Sequence, residues 1–395
     1  MLKVLAIVPS GQVFGLQIAT LNFFKHLNKK RVSSRFLVTH WSDGNFARRL
    51  RDVGLPYDLS YLGFLSKQLN WTNIAMTAAC LIRLPKLFLD VIRLARKYPF
   101  DVIYMSGYHL QIQMLPMILW WKKPIVCHVH DYYPSTPFYQ FLYRVLDRYV
   151  TVYVVVSDAI RMRLEALGID PRKIERIYNG IEAPPLDHRR TSENIFRVRY
   201  GWSEAVKLVA FVGQIAEHKG LLDFIEAARI LSEQQQDIKM LIVGRTTGEY
   251  FKEVKERVGD LGLEQMVVFC GFEENTAKIF SSIDILVVPS RKEDPAPLVA
   301  VEAMAVGKPV IVTRSGGLPE LVGNDEQGFV VEKRDAAAIA DRILRLLANE
   351  TLAMEMGQAG RAKVERMFSI KSQVLLLEDC LKRASKLDPM LPTLN

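Results

Sequence analysis

At 395 residues, 49% of them apolar and 24% charged, the chain is longer than one hydrophobic core ordinarily supports and has the composition of a folded two-domain protein. Its net charge of +9 is unevenly spread: Lys and Arg outnumber Asp and Glu 26 to 13 over residues 1–190, but count 26 against 30 over residues 191–395. No run of about 18 uninterrupted apolar residues occurs, which excludes a membrane-spanning helix; the four cysteines, Cys80, Cys127, Cys270 and Cys380, are too scattered for a zinc site or a disulfide framework.

In the first half, short apolar runs predict strands over Val4–Pro9, Phe36–His40, Val102–Met105, Ile125–His130, Val152–Ser157 and Ile174–Tyr178, alternating with helical patterns. The opening strand begins without a charged leader and apolar h-region, so a cytoplasmic protein is expected. After it, Pro9-Ser10-Gly11-Gln12-Val13-Phe14-Gly15 puts two glycines between strand and helix, as a ligand-facing loop requires, yet it matches neither GxGxxG nor a P-loop. The segment Leu81–Lys97 and the tetrad Trp120-Trp121-Lys122-Lys123 mix basic with apolar and aromatic residues, which suits the surface of an anionic bilayer; burial of both tryptophans beneath a neighbouring helix is the competing expectation. No nucleic-acid-binding module accompanies the basic half, so nucleic acid is not an expected partner.

His128 and His130 lie two apart at the end of a strand and point the same way, but without a third ligand they make no metal site. His130 is expected either to contact a reacting sugar or to be a satisfied structural histidine. Adjacent prolines in Glu182–Ser192 mark a linker, placing domains at 1–190 and 191–370, with a helix at about 372–386 packing back on the first. A second strand series follows at Leu208–Gly213, Lys239–Gly244, Val267–Gly271, Ile285–Pro289, Pro309–Thr313 and Phe329–Glu332. The fold class is α/β: two Rossmann-like, doubly wound domains facing a central cleft, with ligands at the carboxyl ends of the strands.

Two strand-to-helix turns in the second half carry the chemistry. In the first, Gly213 permits close backbone approach, Gln214 follows it, and Lys219, just before a helix at Leu221–Ser232, supplies a cation for a diphosphate. In the second, the strand ending at Pro289 leads to a helix opening near Pro297 and closing at Gly307. Its first free N–H groups, at Leu298 and Val299, form a phosphate-binding helix N-terminus. Asp294 or Glu293 is placed to accept hydrogen bonds from sugar hydroxyls, and Glu302, one turn into the helix among apolar neighbours, from a ribose; a solvated carboxylate is the alternative for Glu302.

The segment 289–310 resembles the acidic-x7-acidic element of family 4 glycosyltransferases. Similar matches run through Val155-Val156-Ser157-Asp158, Ile177-Tyr178-Asn179-Gly180-Ile181, Gly213 with Lys219-Gly220, Ser282-Ile283-Asp284 and Ser315-Gly316-Gly317-Leu318-Pro319-Glu320. The resemblance implies the GT-B fold, a nucleotide-diphosphate sugar as donor, no cofactor, and retaining, front-face transfer to a lipid-linked or envelope-polysaccharide acceptor. It implies a catalytic set of His130, Lys219, Asp294 and Glu293, and a donor-binding set of Gly15, Gly213, Gln214, Lys219, Pro297, Leu298, Val299 and Glu302. The chain departs from the family at Phe14-Gly15, where a glycine pair is usual, at Gln17, where an acid is usual, and at Gln214, where arginine is usual. Metal independence is expected from the residues themselves, because no full ligand set is spaced for an ion. The competing readings are a nucleotide-sugar epimerase of the same architecture, a non-catalytic partner subunit, and a nicotinamide dehydrogenase, the last opposed by the missing GxGxxG.

Overall fold

A computed structural model of the chain describes residues 1–9, 15–40, 43–62, 71–184, 194–234, 237–323 and 325–387, and within these no side chains at 72–74, 76, 108, 109 and 112. Contacts divide the chain into two units, one of Met1–Gly180 joined by the helix Ile370–Ala384, the other of Ile181–Ser369. The division thus falls just before the Pro-rich segment instead of at its end near residue 190; residues 185–193 lie outside those described.

The first unit is built on β1 (Leu2–Val8), β2 (Val32–Thr39), β3 (Tyr57–Ser60), β4 (Val102–Ser106), β5 (Ile125–Val129), β6 (Val152–Val155) and β7 (Ile174–Arg176). All neighbours are parallel, in the order β3-β2-β1-β4-β5-β6-β7. β4 and β5 are buried at every position, which is why they read as unbroken apolar runs: helices cover both faces of a parallel sheet. Edge strand β3 is absent from the sequence reading because it is four residues long and carries Asp58, paired at 2.5 Å with Arg35 of β2. The helix Ile370–Ala384 places Leu377, Cys380 and Leu381 in the same core as Phe23 and Phe24 of the helix Gly15–His26. Its Glu378 accepts the Asn28 N–H at 2.6 Å, and its Arg383 forks onto Glu175 at 2.8 and 2.9 Å.

The second unit holds β8 (Lys207–Val212), β9 (Ile238–Val243), β10 (Val267–Gly271), β11 (Ile285–Val288), β12 (Val310–Thr313) and β13 (Gly328–Val331), parallel and ordered β10-β9-β8-β11-β12-β13. In each sheet the winding reverses once, between β1 and β4 and between β8 and β11. A crevice opens beyond the carboxyl ends of the strands at such a reversal, because the flanking loops depart in opposite directions. All four cysteines are buried and unbridged.

Candidate functional site

The reversal in the second unit brings together loops that are distant in sequence. β8 is followed by the short 3-10 turn Glu217–Lys219, by Gly220 and by the helix Leu221–Ser232; β11 is followed by Pro289–Pro297 and the helix Leu298–Ala305. Gly220 has φ +74°, and a Cβ there would lie 1.8 Å from the Pro289 carbonyl oxygen, so only glycine lets these two loops touch. The loop after β12 closes on them in the same way. Gly316 has φ +53° and approaches the Asp294 backbone so closely that a Cβ would lie 2.1 Å from its oxygen, while the Gly317 N–H donates to that oxygen at 2.8 Å. The Arg291 N–H donates to the His218 carbonyl at 2.9 Å, and Arg291 forks onto buried Asp223 at 2.6 and 2.8 Å.

These three nested loops fix a charged pair. Lys219 Nζ donates to Asp294 Oδ2 at 2.5 Å, and Ser290 Oγ donates to the same oxygen at 3.2 Å. Asp294 is 8% exposed, whereas the Lys219 side chain is about a quarter exposed and keeps donor capacity. Glu293, the other acid of the sequence reading, points elsewhere: it pairs with Lys333 and accepts the Gly316 N–H at 2.5 Å. The structure therefore joins Lys219 to Asp294 and leaves Glu293 out of that pair. Shortly after Asp294, Pro297 occupies the N-cap of the helix Leu298–Ala305 in extended conformation; among the described residues no side chain caps this helix, so Leu298 and Val299 begin it without a side-chain cap. Glu302 lies one turn in, largely buried, hydrogen-bonded to Thr276, and burial pushes its carboxyl up to about 7. The solvated alternative for this residue is thereby overturned. Gly213, with φ +153°, follows β8, a Cβ there would make only ordinary contact with the Phe211 ring at 3.9 Å, and Gln214 beside it is exposed.

Thr276, Asp223 and Ser290 had no assigned role in the sequence reading. Asp223, an acid in the first turn of an otherwise apolar helix face, carried a signal; Thr276 carried none, because its role depends on where the helix Thr276–Ser281 packs.

In the first unit, Gly15 is exposed at the start of the helix Gly15–His26, and Gly11–Phe14 lie outside the described residues. His130, just beyond β5, is 7% exposed, and among the described residues its Nε2 has no hydrogen-bond partner. Among the described residues no three His, Cys, Asp or Glu side chains gather as metal ligands, and no helix is long and apolar enough to cross a membrane. On the surface, Lys86, Leu89, Arg93 and Arg96 share the outer stripe of the helix Leu84–Lys97, and Trp71, Leu81, Ile82 and Trp120 are exposed. Trp121 corrects the expectation for the aromatic pair: it packs edge-on against Phe100 with ring centres 5.2 Å apart, and its indole nitrogen is buried.

Comparison with known proteins matches residues 192–363 to the family described as glycosyl transferases group 1, and residues 15–183 to glycosyltransferase family 4. Among similar proteins, N-acetyl-alpha-D-glucosaminyl L-malate synthase of Bacillus anthracis is 33% identical over 218 residues, 55% of each chain. The amylovoran biosynthesis glycosyltransferase AmsK of Erwinia amylovora is 30% identical over 235 residues, 58% of this chain and 55% of its own. The chain thus spans about half the length of the curated relatives it matches. The crystal structure of Anabaena HepE in complex with UDP and glucose superposes with a TM-score of 0.79 at 20% identity, covering 97% of this chain and 100% of that one.

Proposed function

Because the chain belongs to the group 1, family 4 glycosyltransferases and has the GT-B fold, we propose that it moves a sugar from a nucleotide-diphosphate donor to a lipid-linked or envelope-polysaccharide acceptor, with retention and without a metal. The observation that carries this is the Lys219–Asp294 pair held across the β8/β11 reversal, next to an uncapped helix N-terminus. A cation and a row of unclaimed amides at one crevice stabilise the negative charge that grows on a departing diphosphate. Glu302 accepts the hydroxyls of the nucleotide's ribose, and Asp294, steadied by Lys219 and Ser290, those of the sugar.

In the reaction so proposed, the acceptor hydroxyl forms its bond to the anomeric carbon on the face from which the phosphate oxygen leaves. That oxygen takes the hydroxyl proton as the carbon–oxygen bond breaks. The UDP and glucose in the HepE structure and the amylovoran biosynthesis in the name of AmsK support the donor and acceptor classes. The basic stripe Lys86, Arg93 and Arg96, with Leu89, Ile82 and Trp120 exposed on the same unit, supports presentation of that acceptor at an anionic cytoplasmic membrane surface.

A panel of UDP-, GDP- and ADP-sugars, screened by thermal shift and followed by nuclear magnetic resonance of the product, tests the reading. Retained anomeric configuration in the presence of chelator is expected; an inverted product, or turnover only with added magnesium or manganese, contradicts it.

A further inference from the structure

The helix that carries Glu302 is held from behind. Leu298–Ala305 is eight residues, roughly 12 Å long, and moves as one rigid piece, so whatever fixes its carboxyl end also fixes the amides at its other end. That carboxyl end rests on the helix Glu350–Met367, where a Cβ at Gly357 would lie 1.9 Å from the Gly307 carbonyl oxygen and one at Gly360 would lie 3.2 Å from Met304 Cγ. Glycine is costly within a helix, and Gly357 admits an approach that no side chain would. Beside these glycines Arg361, its side chain 14% exposed, donates from Nη1 to the Ala305 carbonyl at 2.6 Å and from Nε to Glu365 at 2.9 Å. The last carbonyls of a helix lack partners within it and carry the negative end of its dipole, so a guanidinium suits the one at Ala305.

The same Nη1 also donates to the Pro184 carbonyl at 3.0 Å. Pro184 follows closely on Ile181, the first residue of the second unit, and Ser369 is the last. Ile181 and Ser369 pair in a parallel bridge, and the Ile181 N–H donates to the Phe368 carbonyl at 2.9 Å, directly after the helix that carries Arg361. The points where the chain enters and leaves the unit are therefore bonded to each other, and a single nitrogen of Arg361 joins the entry to the helix of Glu302. Lys363, on the same helix as Arg361, donates to the Glu320 carbonyl at 3.0 Å, within the short helix Leu318–Leu321 that follows the Gly316–Gly317 turn. The helix Glu350–Met367 thus braces the elements behind two of the three nested loops, together with the chain's entry and exit.

We propose that Arg361 is a positioning residue that links the helix Leu298–Ala305 to the paired segments at Ile181 and Phe368, so that a diphosphate bound at the helix N-terminus stiffens the entry to the unit. The proposal rests on the reading of that N-terminus as the donor-phosphate site, and one experiment separates the two. Amide hydrogen exchange is followed on peptides containing Val299 and Ile181, in wild-type protein alone and saturated with UDP, GDP or ADP. At least one nucleotide should slow exchange in both peptides about threefold or more. In Arg361→Met the slowing at Val299 should persist and the slowing at Ile181 disappear. Arg361→Lys, as a second variant should the first fail to fold, keeps the charge near the helix end but is one bond shorter and cannot serve both carbonyls, so it should give the same separation. An arginine that only stabilises the fold would lower the melting temperature of the variants and leave both responses intact. That result overturns the proposal, as does a wild-type response at Val299 without one at Ile181. No response at Val299 of the wild type to any of the three nucleotides removes the donor-phosphate reading, and the proposal with it.

Discussion

The two units place different chemistry on the same topology. At the β8/β11 reversal the groups are charged and already paired: Lys219 with Asp294, Arg291 with Asp223, and Glu302 against Thr276. At the β1/β4 reversal they are buried and carry no formal charge: Tyr104 meets His128 Nδ1 at 2.5 Å, and the His128 and His130 rings lie 4.0 Å apart. One edge is organised around paired charges, and the other around uncharged rings and hydroxyls. The sheet dictates where a ligand binds; the side chains at the strand ends dictate which kind.

The comparison is broken most directly at Lys219. Lys219→Ala should lower transfer by about 10²–10³-fold, roughly 3–4 kcal/mol, with the fold retained but a lower melting temperature, because buried Asp294 loses its counter-charge. Undiminished turnover would remove the charged edge from the mechanism.

Glu302 sharpens it through pH. Burial raises this carboxyl from 4.5 in the unfolded chain to about 7 in the folded protein, so the proton favours folding. The resulting stability is fully present below pH 4.5 and is lost as pH rises through about 7. Glu302→Gln abolishes that titration and should gain on wild type by up to ~3 kcal/mol between about pH 5 and pH 8 in thermal unfolding. A constant difference across that range would contradict the buried carboxyl.

A smaller effect belongs to the basic stripe. Arg93→Ala with Leu89→Asn should cost about 2 kcal/mol of partitioning to anionic vesicles, an attraction that also fades with salt. Equal co-sedimentation with neutral lipid would leave the stripe as ordinary solvated surface.

The smallest expected effect is at exposed Gln214, where Gln214→Arg should leave nucleotide binding equal or tighter, by at most about 1.4 kcal/mol, a factor of ten. A large loss in a titration would show that the glutamine itself is used.

The strand-to-helix turns that carry Lys219 and Glu302 were legible in the sequence because both signals are local: an apolar strand, a glycine or proline turn, and an apolar helix. The Lys219–Asp294 pair was not, since its partners are 75 residues apart and meet only because Gly220 and Gly316 let three loops nest. β3 escaped because a short, polar edge strand leaves little periodicity. Trp121 was placed with Trp120 on the surface because adjacency in sequence says nothing of Phe100, which covers it. The pattern at His128 and His130 showed two histidines on one face; it gave no sign that the Tyr104 hydroxyl meets His128 there.

The claim that the second unit's charged edge is the donor-phosphate site is tested most directly by one calorimetric series. UDP, GDP and ADP are titrated, in chelator, into wild-type protein and Lys219→Ala. At least one of the three should bind the wild type without metal and bind the variant at least about tenfold more weakly. Binding to none of them, binding only after a divalent metal is restored, or equal affinity in the variant would contradict it.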